Sequence, residues 1–224
     1  MKTDLEIKQD VLEELEWQPI LRDAQIGIEV KFGIVRLSGI VRNLAEKLVA
    51  ENTAKKIIGV KAVADDIEVK IQGNFTDTDL TTKINFDLEW NTSVPEENID
   101  VKVEDGHVFL SGNVKWGFQK SEAEKSLQYI DGIKSITNTI SINSINSEKE
   151  SPINIEQNIN RAFERSASID AKNITVLVEG NTAILQGKVN SIKEKDDAQI
   201  AAYLAEGITN VKNELKVEYD AIYL

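Results

Sequence analysis

Three short stretches of this sequence are close copies of one another, and their spacing limits the folds that the chain can adopt. They read "LSGIV" (37–41), "LSGNV" (110–114) and "LQGKV" (185–189), and each places a glycine after an apolar run. Offsets of 73 and 75 residues relate the three copies. Because self-similarity at a fixed period is the signature of a repeated structural unit, the chain is interpreted as copies of one unit.

Other residues recur at the same two offsets over nearly the full length. Two sets of glycines do so, namely Gly39, Gly112 and Gly187, and Gly59, Gly132 and Gly207. The match predicts three units, at 1–72, 73–147 and 148–224. We expect both sets to be structural. The first would end a hairpin strand where a Cβ would crowd the following helix, and the second would end a helix.

Each unit has the hydrophobic pattern of an α-β-β-α-β fold. It opens with an apolar residue at every fourth position, as in Ile7, Val11 and Leu15, which is typical of a helix with one buried face. Two alternating strands follow, joined by a two-residue turn that requires positive φ, such as Asp105-Gly106. A second helix and a last alternating strand complete the unit. The sequence therefore predicts an α+β protein of three tandem units, each with two helices packed on a three-stranded sheet.

Composition and charge exclude several classes of function. The net charge of −12 repels nucleic-acid phosphates and anionic lipids, so no nucleic acid is expected as a partner. The absence of cysteine excludes disulfides, thiolate metal sites and cysteine nucleophiles. Acidic residues occur near the amino terminus, where a signal peptide would have its apolar core. No apolar run is long enough for a transmembrane segment. These features predict a cytoplasmic protein.

The repeated unit resembles the BON domain, a family named for bacterial osmotically inducible and nodulation proteins. The residues that carry the resemblance are "HVFLSGNV" (107–114), "GIKSITNTI" (132–140), "GVKAVADDI" (59–67) and "GITNVKNEL" (207–215). The resemblance implies a binding module, proposed to bind phospholipid membranes or neighbouring proteins and found in stress-response proteins, often in tandem. Another branch of the family senses potassium in the cytoplasm. The family offers no catalytic motif.

The stretch "KWGF" (115–118) contains the candidate binding residues, Trp116 and Phe118. They stand where the other two units have small or polar residues. The equivalent residues are Asn43 and Ala45 in unit one and Ser191 and Lys193 in unit three. Packing between units is the plainer interpretation of two aromatics that only unit two carries. Insertion at a bilayer interface or into a partner protein is the functional one.

The remaining candidates have structural interpretations. His107, the single histidine, follows a turn glycine, and we expect it to be a surface residue of a strand. Trp17 and Trp90 occupy equivalent positions at the end of the first helix, where we expect them to cover the edge of the core. The carboxylates lack the spacing of a calcium loop, and no phosphate-binding loop is present. The sequence therefore predicts no catalytic residue, no metal site and no cofactor.

These observations lead to one hypothesis and two alternatives. The hypothesis is a non-enzymatic protein of three BON-like units that associates peripherally with a phospholipid membrane or envelope component, linked by the resemblance to osmotic or general stress. The alternatives are a protein-interaction scaffold and a cytoplasmic binder that responds to potassium or another ion.

Overall fold

The computed structural model describes residues 2–143 and 151–218. Unit one contains α1 (Asp4–Glu16), β1 (Gln25–Lys31), β2 (Ile34–Val41), α2 (Leu44–Lys56) and β3 (Ala62–Val69). Unit two contains α3 (Asp77–Trp90), β4 (Ile99–Glu104), β5 (His107–Val114), α4 (Gly117–Leu127), β6 (Ser135–Asn138) and β7 (Ser141–Ile142). Unit three contains α5 (Pro152–Arg165), β8 (Ile174–Glu179), β9 (Thr182–Val189), α6 (Ile192–Tyr203), β10 (Asn210–Asn213) and β11 (Lys216–Val217). The predicted boundary at 147 and 148 lies outside the described residues.

All three sheets have the same topology. The second hairpin strand is central, antiparallel to the first strand and parallel to the last, as in the order β1-β2-β3. A parallel pair requires a crossover connection, and the second helix of each unit provides it. In units two and three the last strand is divided into two short segments that pair with the same central strand. The predicted α+β class of three α-β-β-α-β units is confirmed.

Each unit has its own hydrophobic core, and the predicted helix stripes lie in it. In unit one, Ile7, Val11 and Leu15 of α1 are buried against strand and helix residues of the same unit. The equivalent stripes are Leu80, Ile84 and Leu88 in unit two and Ile155, Ile159 and Phe163 in unit three, and all of them are buried. The described residues therefore form three small hydrophobic cores, one in each unit.

An aspartate at the start of the first helix holds the hairpin turn in units one and two. The Asp77 carboxylate accepts the backbone N–H groups of Asp105 and Gly106 at 2.9 and 3.0 Å. Asp4 accepts the equivalent two N–H groups in unit one, both at 2.8 Å. Unit three has Pro152 at this position, and its turn is held instead by Asn181, which donates to the Gly207 carbonyl at 2.6 Å. The same turn is thus fixed by two different polar contacts.

An asparagine or aspartate in the last strand ties that strand to the second helix. In unit two, Asn138 Nδ2 donates to the carbonyl of Lys120 at 2.9 Å, and Asn138 Oδ1 accepts from the Ile140 N–H at 3.2 Å. Asn213 makes the equivalent two contacts in unit three. In unit one, Asp65 accepts from the Ile67 N–H and pairs with Lys47 at 3.1 Å. The motif residue is therefore a structural clasp.

The repeated hairpin glycine is required by the first strand, and the expectation that its Cβ would crowd the helix is wrong. Gly112 has φ of +121°, and a Cβ there would lie 2.1 Å from the carbonyl oxygen of Asn98, just before β4. Gly39 and Gly187 have similar positive φ, and a Cβ there would clash with the carbonyl oxygens of Gln25, the first residue of β1, and Asn173, just before β8. A side chain at this position would strain the backbone and push the hairpin strands apart.

The three units contact one another through the first residue of each second helix. These residues, Leu44, Gly117 and Ile192, occupy equivalent positions. Leu44 is 4% exposed and lies within the core of unit two. Ile192 packs against the core of unit one. Gly117 approaches unit three so closely that a Cβ would lie 2.2 Å from the carbonyl oxygen of Tyr203.

The first residue of the second helix thus contacts a different neighbour in each case. Unit one contacts unit two, unit two contacts unit three, and unit three contacts unit one. Repeated head-to-tail contacts that return to the first partner close a ring. An ion pair supports the contact between units three and one, where Lys55 of α2 lies 3.3 Å from Asp196 of α6. Burial lowers the pKa of Lys55, but pairing with Glu51 and Asp196 outweighs burial and raises it above its ordinary value. Lys55 is therefore charged at neutral pH.

The clash at the hairpin glycine gives a stability prediction. Gly112→Val should lower the free energy of unfolding by about 2–4 kcal/mol, since it combines a left-handed backbone with a backbone clash. Urea denaturation measures the change. The control is Gly180→Asn, because Gly180 also has positive φ but has open space around it. The control should cost less than about 1 kcal/mol. Equal effects of both variants would show that strain alone, without the clash, sets the requirement.

The ring contact gives a second prediction, in which a change in unit one destabilises unit two. Leu44→Ala should cost about 2–4 kcal/mol, as for other buried leucines, and should increase amide hydrogen exchange in α4 and β5. Leu5→Ala is the matched control, because Leu5 is 76% exposed. Faster exchange confined to unit one would contradict the inter-unit contact.

Candidate functional site

Trp116 occupies the N-cap position of α4, where the other units place a hydrogen-bonding side chain. Asn43 Oδ1 accepts the Glu46 N–H at 2.9 Å, and Ser191 Oγ accepts the Glu194 N–H at 3.1 Å. The indole of Trp116 has a donor but no acceptor, so it cannot make this contact. Unit two therefore lacks the side-chain cap that its sister helices have.

The start of α4 is held instead by a side chain of its first turn, which bonds back to the chain before the helix. Gln119 Oε1 accepts the backbone N–H groups of Lys115 and Trp116, both at 3.0 Å. Glu46 and Glu194 make the equivalent contacts to the chain before α2 and α6. Because this reciprocal half of the cap remains, α4 begins at the same place as its counterparts.

Trp116 and Phe118 are the chain neighbours of Gly117, which lies at the contact between units two and three. Gly117, between them, is the residue that approaches Tyr203. Trp116 is half-buried but is not among the side chains packed on the three described cores, and Phe118 is 39% exposed. Its counterpart in unit one, Ala45, is buried. The close approach to unit three is thus made by Gly117, the chain neighbour of both aromatics.

Sequence reasoning singled out the aromatics and missed the role of Gly117. A signal was present, because the equivalent residues Leu44 and Ile192 are both large and apolar at the first position of a helix. An isolated glycine at a position where sister units have branched aliphatics indicates a close approach of another backbone.

Trp17 and Trp90 do not cover the core edge, and that expectation is wrong. Their side chains are 81% and 72% exposed. Trp90 contacts Phe86 one turn earlier on α3, with ring centroids 5.8 Å apart. Each tryptophan ends its helix without reaching the core. These aromatics form a second exposed apolar feature, separate in sequence from the "KWGF" stretch.

The histidine and the carboxylates form no catalytic or metal site among the described residues. His107 is exposed on β5, with Nδ1 2.7 Å from Ser135 Oγ, in agreement with a surface position. No three His, Asp or Glu side chains of the described residues come together in a group that could hold a metal ion. Within residues 2–143 and 151–218, no helix has the length and apolar character that crossing a membrane requires.

Comparison of the sequence with protein-family models gives three matches to one family, described as BON domain. They cover residues 3–71, 76–144 and 154–219. The chain belongs to the BON domain family. The resemblance expected from the repeated motifs is thereby confirmed, and Asn138, Asn213 and Asp65 are the clasp residues of its three BON units.

Similar proteins place this BON chain among bacterial relatives. It is 31% identical over 126 residues to osmotically-inducible protein Y of Escherichia coli (strain K12), a match that covers 54% of this chain and 63% of the relative. Among solved structures, a chain of CdsD, a structural protein of the type III secretion system of Chlamydia trachomatis, matches with 19% identity. That match covers 92% of this chain and 90% of the other, with a TM-score of 0.26.

The missing cap in the second BON unit gives a stability prediction. Trp116→Asn, which introduces the residue of unit one, should raise the free energy of unfolding by about 0.5–2 kcal/mol, because a capping side chain is restored. The reverse change, Asn43→Trp, should lower it by a similar amount. Urea denaturation of both variants measures the difference. A loss of stability in Trp116→Asn would show that the indole is needed for packing.

Proposed function

We propose that this BON protein is a non-enzymatic binding protein that associates peripherally with a phospholipid surface through Trp116 and Phe118, in the response to osmotic or general stress. One observation carries the proposal. In unit two, an indole that neither caps its helix nor packs on a described core replaces a capping residue. Family membership and the name of the Escherichia coli relative support the link to membranes and stress.

Trp116 replaces a residue that caps the equivalent helix in the other two units. Loss of a side-chain cap costs about 1 kcal/mol, so the indole is retained at the expense of local stability. Tryptophan is enriched at membrane–water interfaces, where its ring lies at the headgroup level. Phe118, one residue beyond the glycine contact, adds an exposed apolar ring to the same helix start. Together they offer a small apolar contact at the start of α4.

The charge of the protein determines which surface it would prefer. At a net charge of −12, approach to an anionic bilayer is opposed by repulsion at low salt. Apolar insertion and the hydrogen bonding of an indole are available on a zwitterionic surface as well. The proposal therefore favours net-neutral phospholipids over anionic ones.

A protein-interaction scaffold is the second candidate, and Trp17 and Trp90 favour it. Both are exposed at the end of a helix that carries acidic residues, including Glu16 and Glu89 directly before them. Aromatic residues are enriched at the centres of protein interfaces. An acidic frame around an aromatic suits a partner with basic side chains. Unit three has Arg165 at the equivalent position, so only two units present this feature.

Vesicle co-sedimentation of three proteins tests the proposal. The wild-type chain should sediment with phosphatidylcholine vesicles, and Trp116→Asn/Phe118→Ala, with the residues of unit one, should lose most of that retention. Trp17→Arg/Trp90→Arg, with the residue of unit three, is the control and should retain binding. Phosphatidylglycerol vesicles should retain less wild-type protein, and the difference should shrink with added salt.

Two outcomes count against it. Absence of wild-type protein from both vesicle pellets would overturn the membrane proposal. Loss of retention in the Trp17→Arg/Trp90→Arg variant, with none in the Trp116→Asn/Phe118→Ala variant, would transfer the membrane contact to the first helices. Capture of a basic partner that depends only on Trp17 and Trp90 would support the scaffold.

A further inference from the structure

The contact between units two and three contains a crevice between α4 and α6. Its volume is about 370 Å³, at the lower end of the roughly 300–1,000 Å³ that small-molecule sites occupy. One face of α4 and one face of α6 form most of the walls, and Ile142 of β7 completes them. The polar residues that line it are Lys120, Ser121 and Glu124 of α4 and Asp196, Gln199 and Tyr203 of α6. Both sets follow the three- and four-residue spacing of one helix face.

The crevice coincides with small residues at positions that unit one fills. Leu44 and Leu48 of α2 pack into the core of unit two. Gly117 and Ser121 are their counterparts on α4 and line the crevice instead. Gly117 is packed closely against Tyr203, but Ser121 leaves space open where unit one has Leu48, so α4 fills this contact less completely than α2 fills its own.

Lys120 also departs from the repeat. Its counterparts bond the last strand of their own unit, with Lys47 Nζ 2.7 Å from the Ile67 carbonyl and Lys195 Nζ 2.7 Å from the Leu215 carbonyl. Among the residues that the structure describes, Lys120 Nζ makes neither this bond nor an ion pair. Lys120 lines both the crevice and an adjoining space of about 310 Å³ bordered by Thr139. Among the described residues, a cation that is structural in two units is therefore unpaired in the third.

Carboxylates with spare acceptor capacity lie in the same crevice. Glu124 uses Oε2 to accept from Asn138 at 3.2 Å, and Asp196 uses Oδ2 to pair with Lys55. Within the described part of the chain, the other oxygen of each carboxylate has no partner. Glu124 is also four residues after Lys120, a spacing that permits an ion pair, yet the two are not paired. A lysine and two carboxylates therefore line one small open volume without an ion pair between them among the described residues.

We propose that this crevice binds a small zwitterion of the phosphoethanolamine type. Lys120 Nζ would hold the phosphate, and Glu124 and Asp196 would accept from the ammonium. Carboxylates suit a primary ammonium, which donates hydrogen bonds, whereas a quaternary ammonium is typically held by several aromatic faces. Tyr203 is the one aromatic among the crevice residues. The crevice should therefore prefer ethanolamine over choline.

This inference rests on the proposed function for the source of the ligand. Gly117 lines the crevice and separates Trp116 from Phe118, so a headgroup in the crevice would lie beside the proposed bilayer contact. The same chemistry is present in a soluble headgroup. Two experimental arms separate the lipid from the free zwitterion.

The first arm is an amide NMR titration of the full chain with glycerophosphoethanolamine. We expect saturable shifts in α4 and α6 and weaker ones with glycerophosphocholine. Lys120→Gln and Ser121→Leu, the latter filling the crevice with the residue of unit one, should each weaken binding about tenfold or more. Lys125→Gln is the control, because Lys125 lies on the same helix but pairs with Glu122 and does not line the crevice. Absence of saturable shifts, or equal affinity in Lys120→Gln, would overturn the site.

The second arm compares phosphatidylcholine vesicles with and without phosphatidylethanolamine. Stronger retention with phosphatidylethanolamine, lost in Ser121→Leu, would identify the lipid as the source. Binding of the soluble headgroup with no vesicle retention would support the crevice for a free zwitterion and contradict the membrane proposal. Retention on phosphatidylcholine that depends on Trp116 and Phe118, without headgroup binding, would overturn the crevice and leave the membrane proposal standing.

Discussion

The arrangement of this protein depends on one repeated contact, the insertion of the first residue of each second helix against the next unit. A unit of about 70 residues buries a limited core and gains from a neighbour that covers more apolar surface. Leu44 provides this directly, since it belongs to α2 but lies in the core of unit two. The third contact returns to unit one through Ile192, which closes the ring. The ring thus converts three small cores into a mutually supported set.

The three contacts are equivalent in position but differ in chemistry, and the differences are where function can be sought. The contact from unit one is filled by two leucines. The contact from unit three combines Ile192 with the ion pair of Asp196 and Lys55. The contact from unit two has a glycine and a serine, and a crevice lies between its helices. A repeat protein can keep its fold through the common contacts while one joint is free to acquire a ligand.

The local structure could be predicted from the sequence, because helix stripes, alternating strands and turns depend on neighbours within a few residues. The burial of Ile7, Val11 and Leu15 follows directly from their spacing. The reason for Gly112 was misjudged, because its clash is with Asn98, which reaches it only through the hairpin register. The exposure of Trp17 could not be predicted either, because a tryptophan at a helix end can turn toward the core or away from it. The crevice depends on the relative placement of two units, which no local pattern encodes.

Several departures from the repeat lie together in the first turns of α4. Trp116 replaces a cap, Ser121 replaces a leucine that fills a contact, and within the described residues Lys120 lacks the bond that Lys47 and Lys195 both make. Each change costs stability or leaves a polar group without its usual partner, and all lie within six residues of sequence. Local rules are broken most often where function requires it. On α4 these costs fall together on a helix that borders the crevice, whereas the departures of unit three, Pro152 and Arg165, lie at the two ends of its first helix.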